Sequence, residues 1–156
     1  MRLATIAVLC GCLIAFAPLA HADGSVEKRL NERGVAFEVD EDGDYRVVYN
    51  YKDEGRTQLA FVRGETETTR SFVVREVWAP AAHIEKDGIS GAKALELLVD
   101  SRTNKIGSWE IEGKVLVYVI KLPDDVSGAA LEAALDTVAT VADDMEIKLT
   151  GGKDAY

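Results

Sequence analysis

The sequence predicts an α+β domain in which a single antiparallel sheet carries its helices on one face. Three observations predict it. Between residues 35 and 78, apolar and polar residues alternate, and turn formers interrupt them at intervals of roughly ten positions. Later, Ser108–Glu112 and Lys114–Leu122 flank Gly113 as a hairpin. Near the end, apolar residues recur with the period of a helix.

The elements follow in order. Gly24–Gly34 reads as a short helix: Ser25 supplies the cap, Val26 and Leu30 share a face, and Arg33 followed by Gly34 stops it. Val35–Asp40 alternates as a first strand, and Asp42-Gly43 is a tight-turn signal before the second, Asp44–Tyr51. Thr57–Arg63 is the third. The polar stretch Gly64–Thr69 reads as a turn, and Arg70–Trp78 as the fourth strand. Ala79–Gly91, with Pro80, Asp87 and Gly88, reads as a connection. Ser90 then caps a helix from Gly91 to Arg102 that carries Ala94, Leu95, Leu98 and Val99. After the hairpin, Pro123 stops the last strand. The final helix runs from Ser127 to Leu149. Its stripe is Leu131, Leu135, Val138, Ala142, Met145 and Leu149, with Glu132, Asp136, Asp143 and Glu146 off it. Small alanines crowd that stripe, which favours packing on a sheet over a coiled-coil seam. The expected order is α-β-β-β-β-α-β-β-α.

The first residues have a different character. Arg2 precedes an apolar run from Leu3 to Ala17. Pro18 breaks it, and Ala20-His21-Ala22 offers the small residues that a signal peptidase accepts. Residues 1–22 therefore read as a signal peptide cut between Ala22 and Asp23, leaving 23–156 as one domain outside the cytoplasm, periplasmic or secreted. The run is shorter than the ~20 residues that span a bilayer, so membrane insertion after cleavage is not expected. Acylation at Cys12 would strand apolar residues in the mature chain. Both cysteines, Cys10 and Cys12, fall within the signal, so no disulfide is expected beyond it.

The chain has 18 basic and 27 acidic residues and a formal net charge of −9. Loss of Arg2 makes it more negative. Such a surface repels nucleic acid and anionic lipid, and neither is expected as a partner.

A search for chemistry returns no catalytic residue, cofactor site or metal site. His83 is the one histidine after residue 22, which excludes the usual zinc, copper and haem ligand sets. The acidic turn 40–44 lacks the order of an EF-hand loop and reads as a hairpin turn, with calcium binding left open. Gly88-Ile89-Ser90-Gly91-Ala92 begins like a nucleophile elbow, but Ala92 stands where a glycine belongs and no strand leads in. Gly151-Gly152-Lys153 follows a helix instead of opening one, so it is no phosphate loop.

The order of elements carries a resemblance. Leu30–Tyr49 with Phe37-Glu38-Val39-Asp40, Leu97-Leu98 through Gly107-Ser108-Trp109-Glu110, and Leu131–Asp144 with Ala134-Leu135 and Val141-Ala142-Asp143 resemble a YbjN-type domain. That family is described as bacterial sensory-transduction regulators, with a fold similar to type III secretion chaperones. The resemblance implies such a fold and brings no catalytic or ligand residue with it. The signal peptide sets this chain apart from cytoplasmic members.

Two function classes are expected. The first is an exported, non-enzymatic protein-binding module of the bacterial cell envelope, chaperone-like or regulatory. The alternative is a periplasmic small-molecule or lipid binder using a cleft between sheet and helices. The strand Lys114–Leu122 is apolar on both faces: Val115, Val117 and Val119 oppose Leu116, Tyr118 and Ile120. One face should therefore stay uncovered, and Leu116, Tyr118 and Ile120, with Phe72 and Trp78, are the candidate binding face. Its expected occupant is a second copy of the chain or another polypeptide, unless the connection Ala79–Gly91 folds over it.

Overall fold

A computed structural model describes residues 23–156. The expected signal peptide and its cysteines lie outside the described residues.

The chain forms α1 (Gly24–Arg33), β1 (Glu38–Val39), β2 (Tyr45–Tyr51), β3 (Arg56–Val62), β4 (Glu67–Thr69), β5 (Phe72–His83), α2 (Ala92–Thr103), β6 (Ser108–Glu112), β7 (Val115–Pro123) and α3 (Gly128–Thr150). The strands make one antiparallel sheet in the order β1-β2-β3-β5-β7-β6, with β4 paired to β5 alone. The α+β class and the element order hold, with one strand added.

That addition is β4, which lies in the stretch read as a turn. Thr69 pairs with Phe72, so Arg70 and Ser71 form a two-residue turn, and Arg70 takes a left-handed φ of 54°. Turns of this kind normally announce themselves with Gly or Asn. Arginine gives no such signal.

β5 is longer than expected and absorbs the start of the supposed connection. Pro80 sits inside it because the register with β7 shifts between Pro80 and Ala82, a bulge that tolerates a missing N–H. Ala79, Ala81 and Ala82 are fully buried where α3 crosses the strand. β1 is shorter than expected, only two residues.

Capping also departs from expectation at two helices. Asp23, not Ser25, caps α1, its carboxylate accepting the Ser25 N–H at 2.8 Å. Gly91 precedes α2 without any side-chain cap, so Ser90 does not serve there. Ser127 caps α3 as expected, and Gly34 and Gly151 end α1 and α3 in the left-handed conformation.

Residues facing each other across the strands share a face. Tyr45, Val47, Ala60, Val62, Val77, Leu116, Tyr118, Ile120 and Trp109 lie on the face that meets Val26 and Leu30 of α1 and Leu131, Leu135, Val138 and Ala142 of α3. Each large side chain buried in this layer contributes about 1.5–3 kcal/mol.

Two buried arginines pin the helical layer at opposite ends. Arg75 donates to Asp124 Oδ1 at 2.6 Å, to the carbonyls of Arg63 and Gly64, and to Asp23 at the start of α1. Arg56 pairs with Asp143 at 2.8 Å and Glu146 at 2.7 Å. Both acids were expected off the buried stripe of α3; they are buried because Arg56 gives them partners there.

Candidate functional site

The five residues expected to form one binding face divide between two. Leu116, Tyr118 and Ile120 point under the helices and are fully buried or nearly so. The parity of the strand was read correctly, but its covered side was not, because alternation does not say on which side helices will pack. Phe72 and Trp78 lie on the opposite, helix-free face, where Phe72 is exposed and Trp78 half-buried.

That open face is built from the other parity. Leu59 and Phe61 of β3, Trp78 and Pro80 of β5, and Val115 and Val117 of β7 line a groove of about 280 Å³, together with Glu112 and Tyr156. Phe61 and Trp78 stack with centroids 4.2 Å apart. Arg63, just past β3, lies 5.1 Å over the Trp78 ring and reaches Glu112 of β6, although β5 and β7 stand between their strands. The two long side chains thus bridge the face above β5 and β7. Asp44 also holds Arg63, at 2.9 Å. The connection Ala79–Gly91 does not cover the face: it stays in β5 to His83 and then turns back on itself, with Asp87 accepting the His83 N–H at 2.7 Å.

The second surface lies on α2. Leu97 is its buried apolar residue, while Leu95, Leu98 and Val99 are 65%, 63% and 66% exposed. The helix docks through Leu97 and through two polar side chains, Asp100 and Ser101. Trp109 Nε1 donates to Asp100 Oδ2 at 2.7 Å, and the Trp109 amide to Ser101 Oγ at 2.9 Å. Ile106, in the loop to β6, and Ile111, on β6, are also exposed. Sequence reasoning named Leu95, Leu98 and Val99 as the helix stripe but did not identify them as surface. Spacing along the helix gives no signal of it, because the choice of docking side rests on Trp109, which lies outside the helix.

The other candidates fall into structural roles. Asp40 Oδ1 accepts the amides of Asp42 and Asp44, and the Asp44 carboxylate is taken by Arg63 and the Gly64 amide. Burial pushes the Asp44 carboxyl up despite those partners. No cluster of metal-ligating side chains occurs among the described residues. Ser90 is exposed, and no hydrogen bond joins it to His83 among the described residues. The cleft beside α2 and α3, about 180 Å³, is lined by Lys93, Glu96, Asp100 and Lys148 as well as Leu97, Met145 and Leu149. Its charged rim is a poor match for a lipid tail. Among the described residues no helix is long and apolar enough to cross a membrane.

Glu146 is pushed above the usual carboxylate range by burial, although the Ala155 amide and Arg56 oppose the shift. Asp23 stands lower than usual: burial works against this, but Ser25, Arg75 and Arg29 outweigh it.

No family model matches the chain, and no curated protein matches it. Among solved structures it is similar to a chain of the HopA1-SchA chaperone-effector complex, with a TM-score of 0.53 and 6% identity over 78% of this chain and 89% of that one. At that identity the likeness establishes the fold.

Proposed function

We propose that the protein is an exported, non-enzymatic polypeptide-binding module of the bacterial cell envelope, chaperone-like or regulatory, and a member of the YbjN-type family. One observation carries the reading: α2 turns Leu95, Leu98 and Val99 outward, and Ile106 and Ile111, in the segment that follows it, are exposed as well. Exposed patches of several hundred Å² on a soluble domain mark interaction sites, and five large apolar side chains supply area on that order. The fold is that of a chain from a chaperone-effector complex, which supports polypeptide binding as the class of activity. The acidic surface keeps such a patch soluble. The mature chain starts at Asp23, which then caps α1 and pairs with Arg75.

The test is suppression of aggregation. A chemically unfolded model polypeptide, diluted into buffer, should scatter less light when the protein is present in equimolar amount. A Leu95→Ser/Leu98→Ser double variant should lose that effect while keeping its thermal midpoint. Equal suppression by both proteins overturns the assignment to α2. Light scattering coupled to size exclusion measures whether the same patch joins two copies, in which case the double variant becomes monomeric. Intact mass of the exported species checks the start at Asp23.

A further inference from the structure

The open face of the sheet holds a second feature, separate from α2. Val117 and Val119 are almost fully buried there although no helix among the described residues covers them. Part of the cover comes from the chain's own end. After α3 the backbone turns at Gly151 and passes the ends of the strands: Arg56 Nη1 donates to the Gly152 carbonyl at 3.3 Å, the Thr57 amide to Asp154 Oδ1 at 3.3 Å, and the Ala155 amide to Glu146 Oε1 at 2.8 Å. These bonds fix the tail as far as Ala155. Of this tail, the Tyr156 side chain lines the groove, together with Leu59, Pro80 and Val115. Burial there raises its phenol above its usual range.

The lining fits an aromatic ring. Phe61 and Trp78 offer a stacked floor, Pro80 and the valines an apolar wall, and Glu112 alone among the lining residues carries charge. About 280 Å³ stays open beside Tyr156, just under the lower size of small ligand sites, so an incoming ring and its backbone need the space that Tyr156 takes. Among the described residues the Trp78 indole N–H is buried without an acceptor. We propose that this groove is a docking site for an aromatic side chain presented by an extended polypeptide segment, and that Tyr156 is its tethered occupant in the free protein. The tail shows the mode: backbone held at the strand ends, aromatic side chain in the groove. A tethered occupant lowers the apparent affinity for an incoming one by the fraction of time it leaves the groove free.

The experiment is fluorescence anisotropy with a labelled, end-blocked peptide Ala-Ala-Phe-Ala-Ala-Ala and its all-alanine counterpart, added to the full chain. The phenylalanine peptide should bind and the alanine peptide should not. Tyr156→Ala should bind it at least about fivefold tighter, because the competing side chain is gone. Tyr156→Trp, a larger occupant, should bind it more weakly than the wild type. Both changes fall on Tyr156, outside the core, and thermal midpoints check that the fold is kept. Leu98→Ser should leave this binding unchanged, which separates the groove from the α2 surface. Unchanged or weaker binding in Tyr156→Ala overturns the proposal, as does equal binding of the two peptides. Equally tight binding of free N-acetylphenylalanine amide would make the groove a small-molecule pocket and overturn the polypeptide assignment.

Discussion

Helix α3 buries Leu131, Leu135, Val138 and Ala142 completely, whereas α2 leaves Leu95, Leu98 and Val99 each about two-thirds exposed. Both stripes follow helical spacing, and both helices follow β-strands of the same sheet. The difference lies in what each helix offers the sheet. α3 is long and crosses the strands over their alanines and aromatics, so its apolar side finds a surface of its own length. α2 is half as long and is held at the sheet margin by Leu97 and by Asp100 and Ser101, whose hydrogen bonds to Trp109 fix which side turns inward. A buried polar contact left unmade costs about 1–3 kcal/mol, so satisfying Trp109 competes with burying an apolar stripe. An apolar stripe thus states that a face wants cover, and in α2 the described residues do not supply it.

The contrast breaks first at the buried charges of α3. Arg56→Met should destabilise by about 3–5 kcal/mol, since Asp143 and Glu146 would remain buried without their cation. Urea denaturation at neutral pH measures it, and a loss under about 1 kcal/mol would mean that water reaches these acids. Leu131→Ala and Leu135→Ala should each cost about 2–5 kcal/mol by the same measurement. Equal and small losses would show that the stripe faces no core.

A smaller effect belongs to Asp23. Asp23→Asn should cost about 1 kcal/mol at neutral pH, because it keeps a capping oxygen but loses the charge paired with Arg75. The sign of its pH dependence follows from the lowered pKa. The carboxylate stabilises the fold above the ordinary aspartate value of 3.8, and that contribution disappears as pH falls through the lower folded value. Thermal melts of the wild type and the variant should therefore separate above about pH 4 and draw together as the pH falls below it. Glu146, raised by burial, runs the other way: its contribution is fully present below the ordinary glutamate value of 4.5 and is lost as pH rises through the folded value.

The smallest effect is expected on α2. Leu95→Ser and Leu98→Ser should each change the stability of the dilute protein by no more than about 0.5 kcal/mol, as at other surface sites. A loss of several kcal/mol that grows with protein concentration would show that the stripe is covered by a second copy in solution.

Much of the fold was legible because its signals are local. Asp42-Gly43, Gly113 and the Gly34 and Gly151 stops act through the backbone within a few residues, and α3 announces its buried side by spacing alone. β4 was not legible, because Arg70 takes a conformation that arginine does not advertise. Neither was the length of β5, since Pro80 is tolerated only by a bulge that depends on β7. The candidate surfaces were half legible. The two apolar parities of β7 were plain, but Leu116, Tyr118 and Ile120 proved to be core.

The sequence by itself determined the α+β class, the order of its main elements, the acidic surface and the division of β7 into two apolar faces, because composition, period and turn chemistry act at short range. Only the tertiary structure decided which of those faces the helices cover and why Asp143 and Glu146 turn inward. It also placed Tyr156 on the open face and turned the stripe of α2 outward. Each of these depends on partners distant in sequence: Arg56 for the acids of α3, Trp109 for α2, the strand ends for the tail. Spacing along a chain carries no record of which distant group will satisfy a given side chain.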